Sequence, residues 1–319
     1  MSINNPKKAV LMPTYNRAEA INDTLRANLT RYKIFNYDVY VFDSSNNRDT
    51  ENYIKELQKE HDNLFYIRMC EFTHLDSKWL DMVRGKYIKK DYDYFYPCGE
   101  ANALTVFALE KIEPYLKENV TIVNINDYAK INKTSEFNNA NDFFNSAHAN
   151  IGQWGGAIYN YKAIFELNDN EWNDAISKWF TNDLEYIGLN GFLWERISLC
   201  KNLRIVEPSM EGVDAYKVLR RSKFKEQSFW RADAIKLIAI TYPKVYRMLP
   251  NCYTNTQAHI EWLIKANFKT RHFKFLKKTK GFNLIDFFEY KKIFDNEKVK
   301  VLNREIFLLA LLPNLRFNK

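Results

Sequence analysis

Three observations predict an α/β fold with a mainly parallel sheet sandwiched by helices, followed by a basic helical extension. Over the first 127 residues, short apolar runs rich in β-branched and aromatic residues alternate with segments of helical period. From Tyr216 onward this alternation stops and helical periodicity takes over. The charge changes sign at the same place. Residues 1–215 hold 24 Lys and Arg against 31 Asp and Glu, a net of −7, whereas residues 216–280 hold 16 against 3, a net of +13. The expected division is an α/β domain over 1–215 and a helical basic region over 216–319.

The elements follow in order. Lys8–Tyr15 reads as a buried strand closed by a turn. Ile21, Leu25 and Leu29 then place one apolar stripe on a helix. Tyr37–Phe42 is the second strand and runs into the turn-rich cluster Asp43 to Asn47. A helix over 48–60 precedes a third strand, Asn63–Met69, and a helix over 77–88 precedes a fourth, Tyr92–Pro97. Leu104 to Ile112 reads as helix and Val120–Ile125 as a fifth strand. Strands separated by helices imply βαβ units. Ligands of such sheets bind beyond the carboxyl ends of the strands. That rule singles out Pro13–Arg17, Asp43–Asn47 and Pro97–Asn102.

Several classes are excluded. No glycine occurs before Gly85, so neither a GxGxxG fingerprint nor a P-loop can follow the first strand. The four scattered cysteines, Cys70, Cys98, Cys200 and Cys252, lack metal-ligand spacing and read as reduced thiols of a cytoplasmic protein. No stretch approaches the roughly 20 apolar residues that cross a bilayer. The five histidines stand apart from carboxylate or cysteine partners in the sequence, and a catalytic role for His74 is not expected.

Val10-Leu-Met-Pro-Thr-Tyr-Asn-Arg17 resembles the opening strand of family 2 glycosyltransferases, and Val41-Phe-Asp-Ser-Ser45 resembles the end of their second strand. The resemblance runs over roughly residues 8–210 and implies a GT-A fold. It places Pro13, Thr14, Tyr15, Arg17, Asp43 and Ser44 in a nucleotide pocket, UDP being the expected nucleotide. A carboxylate such as Asp43 can accept hydrogen bonds from a uracil N–H or ribose hydroxyls. Thr14 and Asn16 could equally cap the next helix. Upstream of the fourth strand, Asp76 is a candidate contact to base or ribose and Lys78 a counter-charge for phosphate. Asp76 also suits an N-cap, and Lys78 a solvated surface.

The resemblance further implies a DxD motif after the fourth strand, holding Mn²⁺ or Mg²⁺ against the donor diphosphate. Here that slot reads Glu100-Ala101-Asn102, one carboxylate and one amide. On the acceptor side, Trp154, Gly155 and Gly156 form a loop in which glycine permits close approach and an aromatic face can stack on a sugar. An inverting transferase needs a base for the acceptor hydroxyl. Asp183 is the first choice, with Glu185 and Glu195 behind it.

The implied function is sugar transfer from a nucleotide-diphosphate donor to a glycan, lipid-linked or protein-linked acceptor, for bacterial surface polysaccharide or glycoconjugate synthesis. A nucleotidyltransferase, and a binding protein derived from a transferase, are the alternatives. In the tail, Lys265–Lys280 interleaves basic and aromatic residues as a basic amphipathic helix would, and residues 301–312 read as a further apolar helix. The tail reads first as a helical subdomain that covers the sheet with its charges in water, and an anionic surface at the inner face of the membrane is the alternative partner. Nucleic acid is not, since no recognised module accompanies the charge.

Overall fold

The computed structural model describes residues 5–70, 75–88, 91–100, 102–125, 133–147, 151–152, 154–184, 187–215, 237–269, 273–274, 276–277 and 282–312. His74, Ala101, Gln153, Glu185, Trp230 and Ile235 lie outside them.

The chain opens with β1 (Lys8–Thr14), α1 (Ala18–Ile34), β2 (Tyr37–Asp43), α2 (Asp49–Leu57), β3 (Leu64–Arg68), α3 (Leu75–Val83) and β4 (Tyr94–Pro97). It continues with α4 (Val106–Lys117), β5 (Ile122–Asn124), β6 (Ser135–Phe137), α5 (Ala140–Ala147) and β7 (Ala157–Asn160). Then follow α6 (Tyr161–Ile164), α7 (Asp169–Trp179), α8 (Gly188–Leu199) and β8 (Ile205–Glu207). The eight strands form one sheet in the order β3-β2-β1-β4-β7-β5-β8-β6. Only β7 and β6 run against their neighbours. The strands and helices expected over residues 8–125 are all present, with ends shifted by up to five residues.

Alternation across the pleat explains why β1 and β2 are apolar throughout. Val10 and Met12, with Val39 and Val41, face one core together with Ile21, Leu25 and Leu29 of α1. Ala9 and Leu11, with Tyr40 and Phe42, face the other, which α3 and α8 cover. Lys8 is also enclosed. Its ammonium donates to the Glu113 carboxylate of α4 at 2.7 Å and lies over the Tyr37 ring, which compensates a charge that burial would otherwise disfavour.

Beyond residue 236 the described residues hold helices and no strand. They are α9 (Tyr242–Arg247), α10 (Thr256–Asn267), α11 (Leu284–Asn296) and α12 (Arg304–Leu311). Leu237–Thr241 forms a helical turn that leads directly into α9. Pro243 lies in the first turn of α9, as suits a residue whose missing N–H costs nothing there. The single amphipathic helix expected over 265–280 is corrected. α10 stops at Asn267, and Phe268 and Phe273 are buried in the core. Packing absorbs these aromatics, as a helical subdomain covering the sheet requires. The tail shares that core with the sheet domain: Tyr253 Oη donates to the Trp194 carbonyl at 2.6 Å, and Phe144 meets the rings of Tyr246 and Tyr253.

Candidate functional site

Parallel register sets Thr14, Asp43 and Arg68 side by side at the ends of β1, β2 and β3. Asp43 is the hub of this edge and is fully buried. Its Oδ1 accepts from the Ser45 N–H at 2.9 Å and the Ser45 hydroxyl at 2.5 Å. Its Oδ2 accepts from Tyr66 Oη at 2.9 Å and Arg68 Nη1 at 3.2 Å. Both carboxylate oxygens thus already hold partners. Arg68 also donates to the Ser45 and Asn47 carbonyls, at 2.5 and 2.9 Å, so one guanidinium shapes the whole 43–47 turn. Desolvation first, then the Asp43 carboxylate, pushes the Tyr66 phenol up to about 12.

The loop after β1 is locked to the same turn. Asn16 takes a left-handed conformation, φ 53°, which asparagine tolerates. Its N–H donates to Ser45 Oγ at 2.8 Å, and its side-chain oxygen accepts from Asn46 N at 3.1 Å. Pro13 is enclosed, whereas Tyr15 is exposed and Arg17 partly so. No side chain caps α1, so Thr14 and Asn16 act on the turn and not as helix caps.

Lys78 of α3 is the cation of this edge. It is only 3% exposed and donates to the Thr14 carbonyl at 2.8 Å and Ser44 Oγ at 2.7 Å. The solvated-surface reading of Lys78 is therefore excluded. Burial lowers its ammonium to about 8, against the opposing pull of Asp43 and Glu100. The Thr14 hydroxyl is buried without a hydrogen-bond partner. Asp76 lies half-buried in the first turn of the same helix.

Across from this turn, the Glu100 carboxylate faces Arg17 Nη1 at 3.4 Å, and its main-chain oxygen accepts from Thr24 Oγ1 at 2.6 Å. Asn102 lies under the glycine loop: Tyr96 Oη donates to its carbonyl at 2.8 Å. Gly155 has φ +82°, and a Cβ there would stand 2.6 Å from Asn102 Cβ. Gly155 N donates to the Pro97 carbonyl at 2.8 Å, and Ile125 N to the Gly156 carbonyl at 2.7 Å. The Glu-Ala-Asn slot and the glycine loop are thus one packed unit. Gly155→Ala, which adds both a clash and left-handed strain, should cost about 1–3 kcal/mol. A thermal melt equal to that of the wild type would show that the loop yields freely.

Trp154 and Gly152 share a narrow crevice with Trp79, Pro97 and Leu193. Trp79 follows Lys78 and stacks on Phe180 at 5.9 Å, which brings the segment ahead of Asp183 against α3. Asp183 itself sits on a short 3₁₀ turn, exposed, and pairs with Lys244 of α9. The Lys244 hydrogen bond first, and that from the Thr181 hydroxyl second, hold its carboxyl down at about 2. Glu195 is engaged elsewhere, accepting from Trp179 Nε1 at 2.5 Å and pairing with Lys178. Glu207, at the end of β8, is enclosed and accepts from Asn124 Nδ2 at 2.6 Å; burial raises its carboxyl.

Sequence reasoning missed Tyr66, Arg68 and Lys244. For Arg68 a signal existed: a lone basic residue at the end of a predicted strand, next to the strand that ends in Asp43. Lys244 carries no such signal, because its partner is 61 residues away. A concave space of about 430 Å³ opens away from these residues and is lined by Asp93, Asn119, Asn160 and Lys162 among others. It has no aromatic face, and Asn160 already bonds Asn119 at 2.9 Å.

Comparison with known proteins fits this geometry. The sequence model described as Glycosyl transferase family 2 matches residues 9–71, the stretch that contains β1 to β3 and their turns. No match was found among curated proteins. Among solved structures, S. aureus TarS 1–349 in complex with UDP-GlcNAc is similar with a TM-score of 0.59 at 12% identity, covering 95% of this chain and 84% of that one. S. aureus TarS 1–349 alone gives 0.56 at 15%, covering 95% and 81%. TarS 1–349 in complex with UDP gives 0.52 at 14%, covering 91% and 80%. The fold is the GT-A fold. The similarity to family 2 is confined to residues 9–71, at the first three strands of that fold.

Proposed function

We propose that this protein transfers a sugar from a nucleotide-diphosphate donor, UDP-linked by the family resemblance, to a hydroxyl of a glycan, lipid-linked or protein-linked acceptor, with inversion. The supporting observation is the convergence of Thr14, Asp43, Lys78, Glu100 and the Trp154–Gly156 loop on one edge of the sheet. In this proposal Pro13 to Arg17 and the Asp43–Ser44 turn frame the nucleotide, and Asp76 lies near the base or ribose. Asp43 would act chiefly by holding Tyr66 and Arg68 toward the base. Trp154, Gly155 and Gly156 flank the sugar and the acceptor.

Asp183 is proposed as the base. The acceptor oxygen attacks the anomeric carbon, the bond from that carbon to the diphosphate oxygen breaks, and the hydroxyl proton passes to the Asp183 carboxylate. The product role is synthesis of bacterial surface polysaccharide or glycoconjugate. Thermal shift with UDP, GDP, CMP and NAD tests the donor class. At about 100 times its Kd a ligand stabilises the fold by roughly 2.7 kcal/mol. A shift with UDP supports the proposal, and no shift with any nucleotide removes it in favour of a binding protein.

The resemblance also implies Mn²⁺ or Mg²⁺, and Glu100 and Asn102 are the residues that would hold it. They do not fit a protein-built cage. The one carboxylate already faces a guanidinium, and the amide is packed under the glycine loop. Among the described residues there is no group of three or more His, Cys, Asp or Glu side chains that could hold a metal ion.

An anionic membrane surface at the inner face is proposed as a further partner. No helix among the described residues is long and apolar enough to cross a membrane. The tail does present exposed apolar side chains: Ile285 and Phe288 of α11, and Leu308, Leu311 and Leu312 at α12. The basic segment adjoins them, because Lys277 donates to the Leu312 carbonyl and Lys274 pairs with Glu305. Deleting residues 265–319 would strip Phe273, Phe287 and Phe294 from the core, so point changes are the better probe. Ile285→Glu with Phe288→Glu should lower cosedimentation with phosphatidylserine vesicles severalfold; unchanged recovery would leave these helices as packing elements.

A further inference from the structure

At the nucleotide edge Asp43 is matched by Arg68 in direct contact and Glu100 by Arg17, whereas the Lys78 ammonium is held by a carbonyl and a hydroxyl. Lys78 has no carboxylate within hydrogen-bonding distance; Asp43 and Glu100 act on it only through space. Two of its three N–H donors are used, on Thr14 and Ser44. Among the described residues the third has no acceptor, and the hydroxyl of Thr14, the residue whose carbonyl it binds, lacks a partner too. An ammonium this deeply buried, with a spare donor and an unpartnered hydroxyl on the residue it binds, is stabilised by an incoming anion. Arg17, partly exposed on the opposite lip, carries the second positive charge.

We infer that Lys78 and Arg17 supply the counter-charge for the nucleoside diphosphate, so that the nucleotide binds without a divalent cation. This rests on the proposed donor class. Lys78 takes a phosphate oxygen on its free donor while keeping the β1 and β2 loop ends together. Arg17 exchanges its long contact with Glu100 for the phosphate, which forms the stronger charge-assisted pair. The inference also carries a pH consequence. Asp43 and Glu100 are the titratable groups facing Lys78, with Arg68 and Arg17 beside them. The ammonium is present below about 8 and lost above it, so UDP affinity should fall on the alkaline side, above the range near 6 in which the terminal phosphate itself ionises.

The test is calorimetry of uridine and UDP on the intact protein in EDTA and again with Mn²⁺. The expected result is a UDP Kd within about threefold in the two buffers, with Lys78→Met and Arg17→Ala each losing tenfold or more for UDP, roughly 1.4 kcal/mol. Uridine binding should be preserved in both variants. If Lys78 only staples the two loops, Lys78→Met will weaken uridine and UDP alike, which overturns its assignment. Arg17 is partly exposed, so its variant reports even if Lys78→Met fails to fold. UDP binding that appears only with Mn²⁺ overturns the inference and leaves the proposed function standing. Absence of binding by either nucleotide in both buffers overturns both.

Discussion

Asp43→Ala is expected to abolish UDP binding and to cost roughly 1–3 kcal/mol of stability, because it leaves the buried donors of the 43–47 turn without their acceptor. The carboxylate takes four hydrogen bonds and is itself inaccessible. Its removal leaves the Arg68 guanidinium, the Tyr66 phenol and the Ser45 amide without their acceptor and releases the 43–47 turn. A residue that merely touched the base would lose affinity at unchanged Tm. The two roles therefore separate in one pair of measurements, calorimetry with UDP and a thermal melt. Lost affinity with an unshifted melt would mean that Asp43 turns outward to the ligand. Unchanged affinity would take it out of the site altogether.

Asp183→Asn should reduce turnover about 10²- to 10⁴-fold, the usual contribution of a positioned general base, while leaving UDP affinity intact. Near-normal turnover would eliminate it. Its ion pair with Lys244 adds a sharper test. A carboxyl held at about 2 is ionised across the working pH range, yet it is a weak proton acceptor while the ammonium stays in place. The catalytic form is the carboxylate, so activity is lost as pH falls through its pKa. Lys244→Ala removes the largest cause of the depression and should move that acid limb upward, towards the ordinary carboxylate value of about 3.9. An acid limb at the same pH in both proteins would show that another group sets it.

Much of the architecture was legible before any coordinates. The runs KAVLMPT and YDVYVFD are buried on both faces, and such strands carry their assignment in composition alone. The helix stripe of Ile21, Leu25 and Leu29 was legible for the same reason, and the chain-end rule for parallel sheets placed Thr14 and Asp43 on one edge. The readings that shifted share one cause. The aromatics of 265–280 suit either a membrane or a core, and periodicity cannot tell which surface will cover them. Phe268 and Phe273 went to the core, while Ile285 and Phe288, twelve or more residues further on, remained exposed.

Sequence reasoning also identified the ionisable groups of the site without their states. Asp43, Lys78, Glu100 and Asp183 are all visible as residue types at strand ends and turns. Whether each is enclosed, paired or open depends on groups far along the chain: Arg68 for Asp43, Thr14 for Lys78, Arg17 for Glu100 and Lys244 for Asp183. Local sequence patterning governs what a short segment will bury, since hydrophobic periodicity acts within ten or so residues. Charge and hydrogen-bond balance act through space at 3 Å. Only the folded sheet, which brings four strand ends and a remote helix together, decides which cation answers which carboxylate.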